Sequence, residues 1–259
     1  MMALEMVEKF CRMYSQGNSL RAIAEKEKVS PNTVKKYLLI NRIPVKQKNI
    51  IYCEKQKDDL LNGAYCGIWA GDGTQYKDGG YRIKICCDSR NLELMEFFQK
   101  LLLEKFGKKS SIVQEKGNRA FVRFNSKYIF NFVNKFLIFG EYKTKTVCLK
   151  NKVEEYSDRF IIGFILGLTL TDGCLKSKFQ FTTISTQLAK NAFDILEKFQ
   201  FNPRRYIQNR AKYGWNDLHN VYLNRAESVK FQAKLDTVLK KELRYGKGVV
   251  ALKVYEINK

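Results

Sequence analysis

Two acidic residues at matched positions are the part of this sequence best suited to chemistry. Residues 63–74 read GAYCGIWAGDGT and residues 163–174 read GFILGLTLTDGC. Gly63 matches Gly163, Gly67 matches Gly167, Asp72 matches Asp172 and Gly73 matches Gly173, all at one offset of 100 residues with no gap. Glycines four apart share a helical face and let another backbone approach closely. Glycine weakens a soluble helix by about 1 kcal/mol relative to alanine, a cost two such helices recover by packing directly on each other. Asp72 and Asp172 then sit at the same ends of the pair. Carboxylates there oppose the helix dipole and repel each other, and a divalent cation between or beside them relieves both penalties. Gly73 and Gly173 suit a left-handed turn ending each helix.

The elements that must position these acids repeat in the same order. After Gly73, Thr74–Tyr76 and Tyr81–Cys87 flank Lys77-Asp78-Gly79-Gly80, a hairpin signal. Residues 91–106 and 126–139 read as helices, and 111–114 with 120–124 as a second hairpin around Gly117-Asn118. In the second half, 176–183 carries strands, 186–199 a helix, 203–210 and 220–224 strands, and 226–239 a helix. Strand alternation separates two faces. Ile83 and Ile85 oppose Arg82, Lys84 and Cys86. Phe179, Phe181 and Thr183 oppose Lys178, Gln180 and Thr182. Arg204, Tyr206, Gln208 and Arg210 oppose Arg205 and Ile207. A polar face of this kind can donate to base edges or phosphates, with Thr74, Tyr76, Arg123 and Lys176 as further candidates. Basic clusters at Lys143-Thr144-Lys145 and Arg244-Tyr245-Gly246-Lys247 follow the last helix of each half, and Lys143 and Lys145 are candidates for phosphate contact.

The first fifty residues are a separate module with ten Lys/Arg and four Asp/Glu. Met6, Val7, Phe10, Cys11 and Tyr14 recur at helical spacing over residues 4–15. Ser19 can cap a second helix, and Ser30-Pro31 places a capping hydroxyl before a proline at the first position of a third. Val34 and Leu38 make the apolar stripe of that third helix. Asn32, Thr33, Lys35 and Lys36 lie outside it.

Composition narrows the function classes. Of 259 residues, 47 are Lys or Arg and 26 Asp or Glu, a formal charge of +21, and 45% are apolar, enough for a core. The charge points to a polyanion, above all nucleic acid. Seven cysteines without a CxxC pair argue against a disulfide framework or zinc ribbon, and a single histidine, His219, cannot build a Cys2His2 finger; His219 reads as a polar residue on a strand. No apolar run is long enough for a membrane span, and the first residues lack a secretion signal, so a cytoplasmic location is expected, nucleoid-associated when bound to DNA.

The segments YCGIWAGDG (65–73) and ILGLTLTDG (165–173) resemble the two motifs of a single-chain LAGLIDADG homing endonuclease. The resemblance covers about residues 58–245. It departs at Ala70 and Leu170, where the family often has a further Asp, and at Thr171, where a small Gly or Ala is usual. The run SLRAIAEKEKVSPNTVKKYL resembles a helix-turn-helix of resolvase or transposase type, over about residues 4–43. These resemblances imply an α+β fold: a pseudo-twofold pair of αββαββα units with a saddle-shaped antiparallel sheet, beside a small all-α module. The implied division is 1–44 helix-turn-helix, 45–57 basic linker, 58–140 first half, 141–157 connector, 158–245 second half and 246–259 tail. They also imply a monomer with internal pseudo-twofold symmetry and site-specific double-strand cleavage of DNA that drives homing of an intron or other mobile element. Asp72 and Asp172 would hold Mg2+, which Mn2+ can replace, with Gly71 and Thr171 in the metal set. Asn32, Thr33, Lys35 and Lys36 would meet the major groove. Two alternatives use the same scaffold: a non-catalytic transcription regulator, and a maturase that binds intron RNA.

Overall fold

The computed structural model describes residues 4–41, 43, 58–77, 80–88, 92–115, 118–175 and 178–245. The 45–57 linker, the 246–259 tail, Asn91, Lys176 and the Asp78-Gly79 and Gly117 turn positions lie outside the described residues. The chain forms two compact units, Met1–Ile51 and Tyr52–Lys259.

The first unit has three helices, α1 (Leu4–Ser15), α2 (Leu20–Lys26) and α3 (Pro31–Ile40). The Ser19 hydroxyl accepts from the Ala22 N–H and the Ser30 hydroxyl from the Thr33 N–H, so both short helices start on a capped turn. Phe10, Met13, Ile23, Ala24, Val34 and Leu38 bury together, with Val29 packed against them. Asn32 and Lys36 are exposed; Thr33 and Lys35 are half-buried, and the Thr33 hydroxyl bonds that of Ser30.

In the second unit two helices occupy the centre, α4 (Asp59–Asp72) and α8 (Asp158–Thr171). Every residue from Leu60 to Ala70 and from Phe160 to Leu170 is buried, so these helices are enclosed all round rather than amphipathic. The first half continues with β1 (Gly73–Tyr76), β2 (Arg82–Asp88), α5 (Leu92–Phe106), β3 (Ile112–Glu115), β4 (Arg119–Asn125) and α6 (Lys127–Phe132). Between the halves lie β5 (Leu137–Ile138), α7 (Lys143–Thr146) and β6 (Cys148–Leu149), so residues 141–157 are structured, and β5 pairs with β6. The second half has β7 (Gly173–Cys174), β8 (Gln180–Thr183), α9 (Thr186–Lys198), β9 (Arg204–Gln208), β10 (Leu218–Tyr222) and α10 (Arg225–Thr237). The sheets have matching strand orders, β1-β2-β4-β3 and β7-β8-β10-β9, all antiparallel. This is the expected α+β pair of αββαββα units. Ile83, Ile85, Val122 and Phe124 from one sheet, Phe181 and Val221 from the other, and Phe179 just before β8 share one core with the central helices.

Three expectations change. The helix read over 126–139 stops earlier: α6 passes into a 3-10 turn at Val133–Lys135, and Leu137 leaves to pair with Leu149. Tyr81 lies outside β2, because it takes a left-handed φ of 58° at the turn. Gly73 and Gly173 do not close left-handed turns. Gly73 is extended (φ −80°, ψ 143°) and is the first residue of β1. Its lack of a side chain serves a close approach: a Cβ there would lie 2.5 Å from the Trp69 carbonyl oxygen, and one on Gly173 would lie 2.7 Å from the Thr169 Cα. The strand doubles back on the last helical turn, and only glycine leaves room.

Candidate metal and nucleic-acid site

The central helices touch backbone to backbone. A Cβ built on Gly63 would lie 1.9 Å from the Phe160 carbonyl oxygen, and one on Gly163 would lie 2.3 Å from that of Leu60. Gly67 meets the Phe164 carbonyl oxygen at 2.2 Å and Gly167 that of Ala64 at 2.6 Å. Each contact maps onto its counterpart when the two numbers trade places by 100, which is the signature of a local twofold axis. At their N-terminal ends the helices are tied by polar groups. The Ser157 hydroxyl donates to Asp59 at 2.6 Å, and the Arg159 guanidinium reaches Asp58 at 3.3 Å and Glu242 at 2.6 Å.

The opposite ends bring the acids together. Asp72 is the last residue of α4, and Asp172 caps α8 with its N–H on the Leu168 carbonyl. An Asp172 carboxylate oxygen lies 3.3 Å from where a Gly71 Cβ would stand, so it reaches across to the end of α4. Lys143, from α7, reaches the same helix end. Its ammonium donates to the Gly71 carbonyl at 2.8 Å and the Gly73 carbonyl at 2.7 Å, and lies 5.0 Å from the Trp69 ring centre. Burial lowers the Lys143 pKa to about 8, against the opposing pull of Asp172 and then Asp72. One ammonium therefore feels both carboxylates, directly countering their mutual repulsion and the unfavourable helix dipoles. Burial, and then Asp72, pushes the neighbouring Cys87 thiol up to about 12, so it stays protonated.

The donors here are two carboxylates and backbone carbonyls, hard oxygen ligands that suit Mg2+, Mn2+ or Ca2+ rather than a soft-ligand metal. Among the described residues no group of three or more His, Cys, Asp or Glu could hold a metal ion, so Asp72 and Asp172 offer two carboxylates and no third side-chain ligand of these types. The Gly71 carbonyl faces the site. The Thr171 hydroxyl instead donates back to the Gly167 and Leu168 carbonyls.

Each acid leads straight into the first strand of its sheet. In the first sheet Thr74, Lys84 and Arg123 are cross-strand neighbours, as are Tyr76, Arg82 and Asn125. The Lys84 ammonium lies 4.0 Å from the ring centre of Phe121, which is buried on this polar face and separate from the main core. In the second sheet Thr182, Asn220 and Tyr206 form one row, and Gln180, Tyr222 and Arg204 the next. The Gln180 amide and the Thr182 hydroxyl both bond the Asn220 side-chain oxygen, at 2.9 and 3.0 Å. Lys178 stands over Tyr222, and Gln208 is exposed. Asn125, Asn220 and Tyr222 were missed as site candidates, because alternation within one strand does not reveal cross-strand partners. Lys145 is exposed beside Tyr142 and does not join Lys143. Arg210 does not share the strand face expected of it: it lies beyond β9, which ends at Gln208, and its guanidinium stacks 4.3 Å from the Trp215 ring centre. The chain has turned into a short 3-10 segment at Ala211–Tyr213, so strand alternation no longer applies. His219 lies on the other face of β10, bonded to Thr186 and Arg205.

Comparison with known proteins agrees with this geometry. The LAGLIDADG-like domain model matches residues 61–136 and 159–236, and the chain belongs to that family. Among solved structures, the homing endonuclease I-DmoI in complex with DNA and Ca is similar at 20% identity, with 75% of this chain and 97% of that chain covered and a TM-score of 0.52. An I-DmoI variant with target DNA and Mn gives 19% identity, 71% and 96% coverage and a TM-score of 0.52. Another, with target DNA and Mg, gives 19%, 68% and 94%, and 0.50. At these identities the likeness shows the fold. No curated protein sequence matches the chain.

Proposed function

We propose that the chain is a metal-dependent, site-specific endonuclease that makes a double-strand break in a long DNA target, as a step in the homing of an intron or other mobile element. The observation that carries this reading is the convergence of Asp72, Asp172 and the Lys143 ammonium at one end of the glycine-packed helices, where each acid runs directly into a polar sheet. Asp72 and Asp172 would hold the cation, with the Gly71 carbonyl beside them. Mg2+ is the ion proposed, with Mn2+ able to replace it, as the metals named with the similar I-DmoI structures suggest. A bound divalent cation supplies polarisation of the scissile phosphate and a more acidic water.

The chain's own groups do the remaining work. The carboxylates fix where the phosphate can dock, and Lys143 adds positive charge at the same point. Lys84, Arg82 and Arg123 on one sheet, and Gln180, Thr182 and Arg204 on the other, would hold phosphates and read base edges of the two half-sites. Thr74, Tyr76, Lys178, Tyr206 and Gln208 extend those faces, and Lys145 would meet backbone phosphate. In the N-terminal unit, exposed Asn32 and Lys36 on α3 would add major-groove contacts and lengthen the footprint. A formal charge of +21 gives the association a steep salt dependence.

The test is selection of cleaved molecules from a randomised DNA pool with Mg2+, followed by the selected site in a plasmid. The protein should linearise that plasmid. Asp72→Asn and Asp172→Asn should each cut at least about a hundredfold more slowly while binding the site unchanged. Unaltered cutting by both variants refutes the assignment.

A further inference from the structure

The turn joining β9 to β10 presents two large rings to solvent. Tyr213 and Trp215 are each 59% exposed, in a chain that buries its other tryptophan, Trp69, to 1%. The rings lie 5.6 Å apart between centres, tilted by 40°. The Arg210 guanidinium stacks on Trp215 at 4.3 Å, and the Lys212 ammonium lies 4.8 Å from the Tyr213 ring centre.

The turn holds its own shape. Gly214 takes a left-handed φ of 69°, the Trp215 N–H donates to the Arg210 carbonyl at 3.3 Å, and the Ala211 N–H to the Asn209 side chain at 2.9 Å. The corresponding β3–β4 connection, Lys116-Gly117-Asn118, carries no aromatic residue. Only one half has this feature.

We propose that residues 210–215 form a stacking platform for an unpaired DNA base. Two rings capped by cations suit a partner that offers a flat π face and an anionic backbone together. An apolar protein pocket would strip water from Arg210 and Lys212 with nothing to replace it. A base within an intact duplex has both faces covered by its neighbours, so the platform favours a base that has left the stack or lies at a strand end. Stacking of this kind tolerates sequence, because every base has a π face. The inference rests on the nucleic-acid reading above and extends it to the form of DNA bound at one end of the footprint.

Trp215 reports on itself. The emission lost in Trp215→Leu belongs to Trp215, because the remaining Trp69 is buried. Short oligothymidylate added to the full chain should quench that component and protect it from acrylamide, and Trp215→Leu should weaken oligothymidylate binding about 5- to 150-fold. Tyr213→Leu should weaken it in the same direction. Neither exposed substitution should move the unfolding midpoint. Paired duplex of equal length should leave the Trp215 emission nearly unchanged. Oligothymidylate that binds without altering Trp215, or binds the Trp215→Leu chain equally well, overturns the platform. Equal quenching by duplex overturns the preference for unpaired bases, and stronger quenching by oligouridylate overturns the assignment to DNA. The platform can fail while metal-dependent cutting of duplex stands. Conversely, Asp72→Asn can abolish cutting and leave the quenching intact.

Discussion

Replacing Gly67 with alanine sets two opposed effects against each other. Alanine is the better helix former by about 1 kcal/mol, and in an ordinary helix the change would stabilise. Here the new methyl would lie 2.2 Å from the Phe164 carbonyl oxygen and 3.0 Å from both the Gly167 Cα and the Leu168 nitrogen. All three are backbone atoms, so no side chain can rotate away. Ordinary contact begins near 3.4 Å, so α4 and α8 must part by about 1.2 Å at that level. Overpacking alone costs about 1–3 kcal/mol, and a gap of 0.5–1 Å forfeits a quarter to a half of each surrounding dispersion contact. The net expectation is a loss of about 2–4 kcal/mol in urea denaturation of the full chain. The carboxylates of Asp72 and Asp172 would separate as well, so cutting should fall more than DNA binding. A Gly67→Ala chain as stable as the parent, or more stable, would refute the backbone-to-backbone packing.

Three further outcomes follow from the geometry. Gly71→Ala meets the Thr171 Cβ at 2.6 Å and should destabilise by about 1–3 kcal/mol, whereas the Gly71→Ala, Thr171→Gly double variant should recover most of it in the same denaturation assay. Lys143→Ala removes the donor to the Gly71 and Gly73 carbonyls and the cation near the acids; the metal-free chain should lose about 1–3 kcal/mol, and calorimetric titration should find Ca2+ bound more tightly than by the parent. His219 is held below its ordinary pKa of 6.5 by burial and by Arg205, whose guanidinium donates to Nδ1. The unfolded chain therefore takes up that proton first. The stability His219 contributes is present above about pH 6.5 and is lost as pH falls through its folded value. Unfolding midpoints should drop over that window, and a His219→Gln chain should show a shallower drop.

The repeat made the centre of the fold legible because backbone contact admits one residue type. Gly63, Gly67, Gly163 and Gly167 were readable as a packed face since nothing but glycine fits where a Cβ would stand within 1.9–2.6 Å of a carbonyl. Helix starts were readable from capping chemistry: the Ser19 and Ser30 hydroxyls each accept from a first-turn N–H. Less was visible wherever a partner comes from far along the chain. Lys143 and Lys145 look equivalent in sequence, and only the path of α7 sends one to the acids and leaves the other in solvent. Leu137 reads as helical until Leu149 offers it a strand partner. Asp-Gly at a helix end suggests a left-handed turn at Gly73, whereas the tight Trp69 contact selects the same residue for a different reason.

The same helix pair explains what a single chain gains over two identical halves. Thr171 stands opposite Gly71, and a Gly71 Cβ would come within 2.1 Å of the threonine hydroxyl, so the threonine fits only because its counterpart has no side chain. Two copies of the second half would set threonine against threonine at that level and hold the helix ends, and their carboxylates, apart. Lys143 follows the same logic. One lysine serves both acids, while after the last helix of the second half Leu243 is buried and the Leu243 and Arg244 carbonyls accept from Lys100 instead. A twofold-related second ammonium would add a second cation at the same helix ends. At these two positions beside the axis an exact twofold would force each side chain against its own copy, whereas the matched glycines, having no side chain, keep the repeat there.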